Sequence, residues 1–155
     1  MITEALSSHD VFGFLQPEQV DAISDVSEVT EYAPGEPVFR SGESADSLYA
    51  VLEGEVRLEL PRDGGVSLSI EDLSTGALFG SCVCFDLNRY TLSAICATQC
   101  KLLKISAEGL KRVMEDDPAT GYQVQRMISR TYFKRYVGAM RKLQTVAESL
   151  TLRVG

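Results

Sequence analysis

The run Leu78-Phe79-Gly80-Ser81-Cys82-Val83-Cys84-Phe85 is the part of the chain best suited to hold a small anion. It reads as a short strand, a glycine and one turn of helix, with a stranded run from Tyr90 to Ala97 behind it. A glycine that opens a helical turn leaves backbone N–H groups unpaired, and such groups attract oxyanions. Other chemistry is thin. The one histidine, His9, offers no set of ligands for a metal centre. Beside Asp10 it suits a helix cap. Cys82, Cys84, Cys96 and Cys100 are spaced CxC and CxxxC, which does not make the paired CxxC knuckles of a zinc site. Two readings of the thiols remain. Cys82 and Cys84 could form a redox-responsive pair, activated at a helix N-terminus. Alternatively, all four are reduced and behave as small hydrophobes. Ser81 has no histidine near it in sequence, and the carboxylates concentrate in hairpin turns and on polar strand positions. A nucleophile without a base does not make an enzyme, so a non-enzymatic protein is expected.

The composition points the same way. The chain has 155 residues, 45% hydrophobic and 24% charged, enough for one domain with its own core. No apolar run approaches the roughly 20 residues that span a bilayer. Met1-Ile2-Thr3-Glu4 has neither the basic nor the apolar part of a signal peptide, so a cytoplasmic location is expected. The net charge of −7 is unevenly divided. Residues 1–72 carry 16 acids against 3 bases, and residues 73–155 carry 12 bases against 6 acids. Such asymmetry fits either a partner-binding segment or a helix with a solvated basic face.

Three regions must position these residues. Residues 1–26 are helical: within Asp10 to Asp25, Pro17 starts a new helix after Leu15, and Val20, Ile23 and Val26 share a side. Residues 27–106 are strand-rich. Short runs (Pro37–Arg40, Ser47–Leu52, Glu55–Leu60, Val66–Leu73) are separated by Pro34-Gly35, Ser41-Gly42, Glu53-Gly54, Asp63-Gly64-Gly65 and Thr75-Gly76. Val56, Leu58 and Leu60 alternate with polar residues, as do Val66, Leu68 and Ile70, so both runs read as half-buried strands of one hairpin. Many short strands at close spacing predict a barrel or jelly roll.

Residues 107–155 are helical again. Ser106 caps a helix to Asp116, and Pro118 interrupts it before a long helix to about Leu150. Along that helix Ser129, Tyr132, Tyr136, Ala139, Leu143, Val146 and Leu150 repeat at spacings of three and four. Phe133, Val137 and Met140 run beside them. Two apolar lines on one helix suit packing on the barrel and on a second copy, so a homodimer is expected through Tyr132, Tyr136, Ala139, Leu143, Val146 and Leu150. The same helix is basic at Arg126, Arg130, Lys134, Arg135, Arg141 and Lys142. With the chain acidic overall and no helix-turn-helix after Leu150, no nucleic-acid partner and no membrane partner are expected. A protein partner that docks by charge is a further reading.

The residues also carry a resemblance. Tyr32-Ala33-Pro34-Gly35-Glu36-Pro37-Val38-Phe39-Arg40, Ser41-Gly42-Glu43-Ser44-Ala45-Asp46-Ser47-Leu48-Tyr49, Leu52-Glu53-Gly54-Glu55-Val56-Arg57 and Gly76-Ala77-Leu78-Phe79-Gly80 are similar to the cyclic-nucleotide-binding domain over nearly the whole chain. The resemblance implies a mainly β fold with flanking helices: a jelly-roll (double-stranded β-helix) barrel, N-terminal helices and a long C-terminal helix. It implies that residues 78–91 are the phosphate-binding cassette. In that family a Phe-Gly-Glu sequence, a small residue two positions on and an Arg before the next strand hold the ribose and the cyclic phosphate.

Aligned without gaps, the chain has Ser81 in place of the Glu, Val83 in place of the small residue and Tyr90 in place of the Arg. A one-residue deletion in the cassette would instead put Arg89 at the pairing position. Loss of a charge-assisted pair costs about 1.5–3 kcal/mol. The expectation is therefore a regulatory or sensor module without usual cAMP binding, with no obligatory cofactor. Its candidate ligand residues are Phe79, Gly80, Ser81, Cys82, Val83, Arg89, Tyr90 and Thr91. The alternatives are a genuine cyclic-nucleotide receptor that uses Arg89 and cassette N–H groups, a receptor for another small anion, and a protein-interaction module.

Overall fold

The computed structural model describes residues 2–81 and 86–154, with side chains as far as residue 150. Two helices, α1 (Ile2–Ser8) and α2 (Pro17–Asp25), precede the strands β1 (Ser27–Tyr32), β2 (Pro37–Phe39), β3 (Ser47–Glu53), β4 (Val56–Pro61), β5 (Ser67–Leu73), β6 (Leu78–Phe79), β7 (Ser93–Cys96) and β8 (Cys100–Ser106). Helices α3 (Ala107–Asp116) and α4 (Pro118–Val154) follow. The strands form two four-stranded antiparallel sheets, ordered β1-β8-β3-β6 and β2-β7-β4-β5. This is the mainly β jelly roll with flanking helices that the sequence predicts.

Strand β3 shows why the sheets stack with helices outside. Alternate residues of a strand face opposite sides. Leu48 and Ala50 face the helices and pack with Leu6, Val20, Ile23, Leu103, Ile105 and Ile128. Tyr49 and Val51 face into the roll with Phe39, Val56, Phe79 and Leu102. Each fully buried Leu or Phe contributes about 1.5–3 kcal/mol. The tight turn before β4 depends on Gly54, at φ +94°, where a Cβ would lie 2.4 Å from the Gln99 carbonyl oxygen.

Several elements differ from the sequence reading. Residues 10–16 of the region read as helical are turn and loop, while the new helix starts at Pro17 as the sequence predicts, with Gln19 Oε1 accepting the Gln16 N–H at 2.8 Å. His9 bridges rather than caps. Its Nδ1 accepts the Val11 N–H at 3.1 Å, so the proton sits on Nε2, which donates to the Gly76 carbonyl at 2.8 Å. Burial lowers its pKa below the usual histidine value, against the raising influence of the Gly76 bond and Asp10. The hairpin tip is not half-buried: Leu60, Val66 and Leu68 are exposed. A bulge between Leu58 and Glu59 breaks the β4–β5 register before them. The run predicted from Tyr90 to Ala97 contributes only Ser93–Cys96 to a sheet. Tyr90 instead exchanges backbone bonds with the 42–43 turn, donating to Glu43 O (3.0 Å) and accepting from Gly42 N (2.8 Å).

After β8, the Ser106 hydroxyl accepts the Gly109 N–H at 3.1 Å and starts α3. Asp117 forms the joint between α3 and α4. Its carboxylate accepts from Thr120 Oγ1 at 2.7 Å and from Gln19 Nε2 at 2.9 Å, and these bonds hold its pKa below the usual carboxylate range. The 37 residues of α4 span about 55 Å at 1.5 Å per residue. Val124 and Ile128 are buried on the sheet, whereas Phe133, Tyr136, Met140, Leu143, Val146 and Leu150 are exposed. No helix among the described residues is long and apolar enough to cross a membrane.

Candidate functional site

Strand β6 delivers Phe79 into the roll interior, and Gly80 then turns the chain at φ +74°. A Cβ at Gly80 would sit 3.2 Å from Phe39 Cε2 and 3.4 Å from the Ser47 carbonyl, so the backbone takes a path only glycine fits. Ser81 follows, 1% exposed. Its N–H is not open to an anion: it donates to the Tyr132 hydroxyl at 3.3 Å. Its Oγ is buried with no hydrogen-bond partner. Cys82 and Val83, the next two candidate residues, lie outside the described residues, as does Cys84.

Tyr90 enters the roll. It is 4% exposed, and its ring lies parallel to Phe39 with centroids 3.7 Å apart. Its hydroxyl donates to Ser47 O at 2.6 Å and accepts from Ser47 N at 3.3 Å. The position that the alignment without gaps sets against the phosphate-binding arginine thus holds an apolar ring face with a satisfied hydroxyl. Arg89 points elsewhere: its Nη1 donates to the Gly42 carbonyl at 2.6 Å, and it does not line the cavity described next. Thr91 does line it.

A cavity of about 540 Å³ opens between the roll and α4. Gly80, Ser81, Tyr90 and Thr91 meet Tyr132, Tyr136 and Ala139 across it. Three residues expected at a dimer interface therefore face their own barrel at least in part, while Leu143, Val146 and Leu150 do not line the cavity. Arg135 fastens the helix to the roll. Its Nη2 donates to the Leu78 carbonyl at 2.8 Å, and its Nε pairs with the Glu71 carboxylate at 3.3 Å. The guanidinium also sits 4.8 Å from the centre of the Tyr132 ring. A charge-assisted hydrogen bond such as that to Leu78 contributes about 1.5–3 kcal/mol.

The sequence reading missed Glu71 and the part Arg135 plays. Arg135 was visible only as one of several basic helix residues. Its place three positions after Tyr132, on the same helix face, was the available signal. The described thiols, Cys96 and Cys100, are free and buried. Burial, then the neighbouring Cys100, pushes the Cys96 thiol up to about 12, which keeps it protonated and inert.

Comparison with known proteins agrees with this architecture. The model of the cyclic nucleotide-binding domain matches residues 29–117. The chain is 28% identical over 120 residues to the cyclic AMP receptor protein of Thermus thermophilus, covering 77% of this chain and 56% of that protein. The catabolite activator protein of Thermus thermophilus has a structure that superposes with a TM-score of 0.71 at 26% identity, covering 88% of this chain and 62% of that one. The N-terminal domain of a transcriptional regulator from Streptomyces coelicolor A3(2) superposes with a TM-score of 0.69 at 25% identity, covering 84% and 93%. The chain spans just over half the length of the curated receptors it matches. The jelly roll and the Gly80 turn lie within the matched segment, which covers more than half of the chain, and the chain belongs to the cyclic nucleotide-binding domain family.

Proposed function

We propose that this chain is a non-enzymatic regulatory module whose cavity senses a ligand other than cAMP held in the usual way, and whose long helix carries the response. One observation supports this reading above the rest. In the alignment without gaps Tyr90 stands in place of the phosphate-binding arginine, and there it packs against Phe39 with its hydroxyl taken up by Ser47. A cyclic phosphate placed there would meet a ring face in place of that guanidinium. Ser81 adds to the loss, since it has no carboxylate for a ribose hydroxyl. The relatives named above are receptors and regulators, which supports a regulatory role over a catalytic one.

The readout runs through α4. Tyr132 and Arg135 tie the helix to the cavity, and the exposed Leu143, Val146 and Leu150 lie farther along the same helix. Self-association of two copies through that farther half would carry a change in the cavity to a partner. A cytosolic setting fits the free, buried thiols Cys96 and Cys100. Titration calorimetry with cAMP and cGMP tests the core of the reading. The expected result is no saturable heat at micromolar nucleotide. Micromolar binding abolished by Arg89→Ala would replace it with the receptor reading built on Arg89.

A further inference from the structure

The cavity has a charge character opposite to that of the chain. Among the described residues, Lys134, Arg135 and Lys142 line it against a single carboxylate, Glu71, in a protein of net charge −7. A concave, partly apolar site lined by one sign of charge concentrates ligands of the other sign. Two polar atoms of its lining residues are buried without a hydrogen-bond partner, Ser81 Oγ and Arg135 Nη1. Buried polar groups are normally paired, so two such atoms in the lining of one cavity mark a place where a partner is missing. The other two guanidinium nitrogens are already engaged, Nε by Glu71 and Nη2 by Leu78.

We propose that this cavity binds a small organic monoanion with a flat apolar body, its charged head on Arg135 and a polar edge toward Ser81 Oγ. The proposal rests on the reading that the site no longer holds a cyclic phosphate in the usual way. A single unpaired guanidinium nitrogen suits one carboxylate better than a dianion. The parallel Phe39 and Tyr90 rings, with Leu58 and Ile70 beside them, form a wall for an aromatic or fused-ring body. About 540 Å³ lies in the usual range for small-molecule sites. An anionic head on Nη1 shares the Arg135 charge with Glu71 and repels that carboxylate. Binding therefore loosens one of the contacts that hold α4 on the roll, which gives the ligand a differential effect on the helix position.

The test uses the full chain, with 2-naphthoate as probe and the neutral isostere 2-naphthamide as control, followed by calorimetry. The expected result is saturable naphthoate binding at least tenfold tighter than that of the amide. Arg135→Gln should weaken naphthoate at least tenfold, Arg135→Lys should restore part of the loss, and Glu71→Gln should tighten binding because the repelling carboxylate is gone. A merely structural role for the ion pair does not produce that tightening. Thermal unfolding of each variant confirms that the roll is intact. Equal binding of the amide, or no effect of the Arg135 and Glu71 changes, would overturn the proposal. If neither naphthoate nor cAMP binds, the proposal falls while the reading of the module stands. If cAMP binds tightly and naphthoate does not, both fall.

Discussion

The Tyr132 hydroxyl of α4 accepts the backbone N–H of Ser81 at 3.3 Å, which places the long helix directly on the end of β6. Arg135 reaches Leu78 and Glu71 from the same helix face. The helix thus occupies, with its own side chains, the first backbone donor that a glycine-opened turn would present to an anion.

Replacing Tyr132 with Phe removes that contact. The ring remains to pack on the roll and under the Arg135 guanidinium, while the Ser81 N–H loses its acceptor. Urea unfolding should show a loss of about 0.5–1.5 kcal/mol. Hydrogen exchange at the Ser81 amide should accelerate while the β3 and β8 amides keep their protection. An unchanged Ser81 exchange rate would mean that the helix does not rest there in solution.

Tyr90→Phe tests the buried anchor beneath the cavity. The hydroxyl both donates to and accepts from the Ser47 backbone, at a residue only 4% exposed. Removing it leaves buried backbone groups short of a partner, at a cost of about 1–3 kcal/mol, measured by urea unfolding. The stack on Phe39 survives in this variant and is lost in Tyr90→Leu, which should cost about 0.5–1.5 kcal/mol more. Equal stability of the two variants would remove the stack from the account.

How much of this was legible in the chain varies with the range of the interaction. The alternation of Val56 and Leu58, the Asp63-Gly64-Gly65 turn and the Gly80 turn are local signals, and each found its element. Leu60, Val66 and Leu68 carry the same alternation but stand outside the core, because the Leu58/Glu59 bulge and the length of the hairpin are set by what the opposite sheet covers. Tyr90 was legible as an oddity at its position, yet its partners Phe39 and Ser47 come from distant strands. Arg135 and Glu71 were least legible. Each reads as an ordinary surface charge until the helix is laid across the roll.

Stability should fall as the pH drops below the ordinary histidine value. His9 is held neutral by burial, with Nδ1 accepting from Val11 and Nε2 donating to Gly76. Its folded pKa is lowered, so between that value and about 6.5 the unfolded chain binds more protons than the folded one. The sign is therefore a loss of stability on acidification, starting near pH 6.5. In His9→Asn, urea midpoints between pH 7 and 5 should fall less steeply than in the parent chain. An equal slope in both would assign the acid sensitivity to other groups.

The farther half of α4 makes the last prediction. Leu143, Val146 and Leu150 are 61%, 57% and 57% exposed, one to two turns apart on one side of the helix and beyond the reach of the roll. An apolar line of this length left in water is unfavourable, and pairing with a second copy at heptad-like spacing would bury it. The parent chain should therefore sediment as a dimer. Leu143→Glu places a charge in the middle of the line without touching the roll, since Leu143 does not line the cavity or join either core cluster. Sedimentation velocity should then give monomers, with the circular dichroism and thermal midpoint of the roll preserved at monomer concentration. Dimers that persist in Leu143→Glu would move the interface elsewhere. A monomeric parent chain would leave the line for a different partner helix.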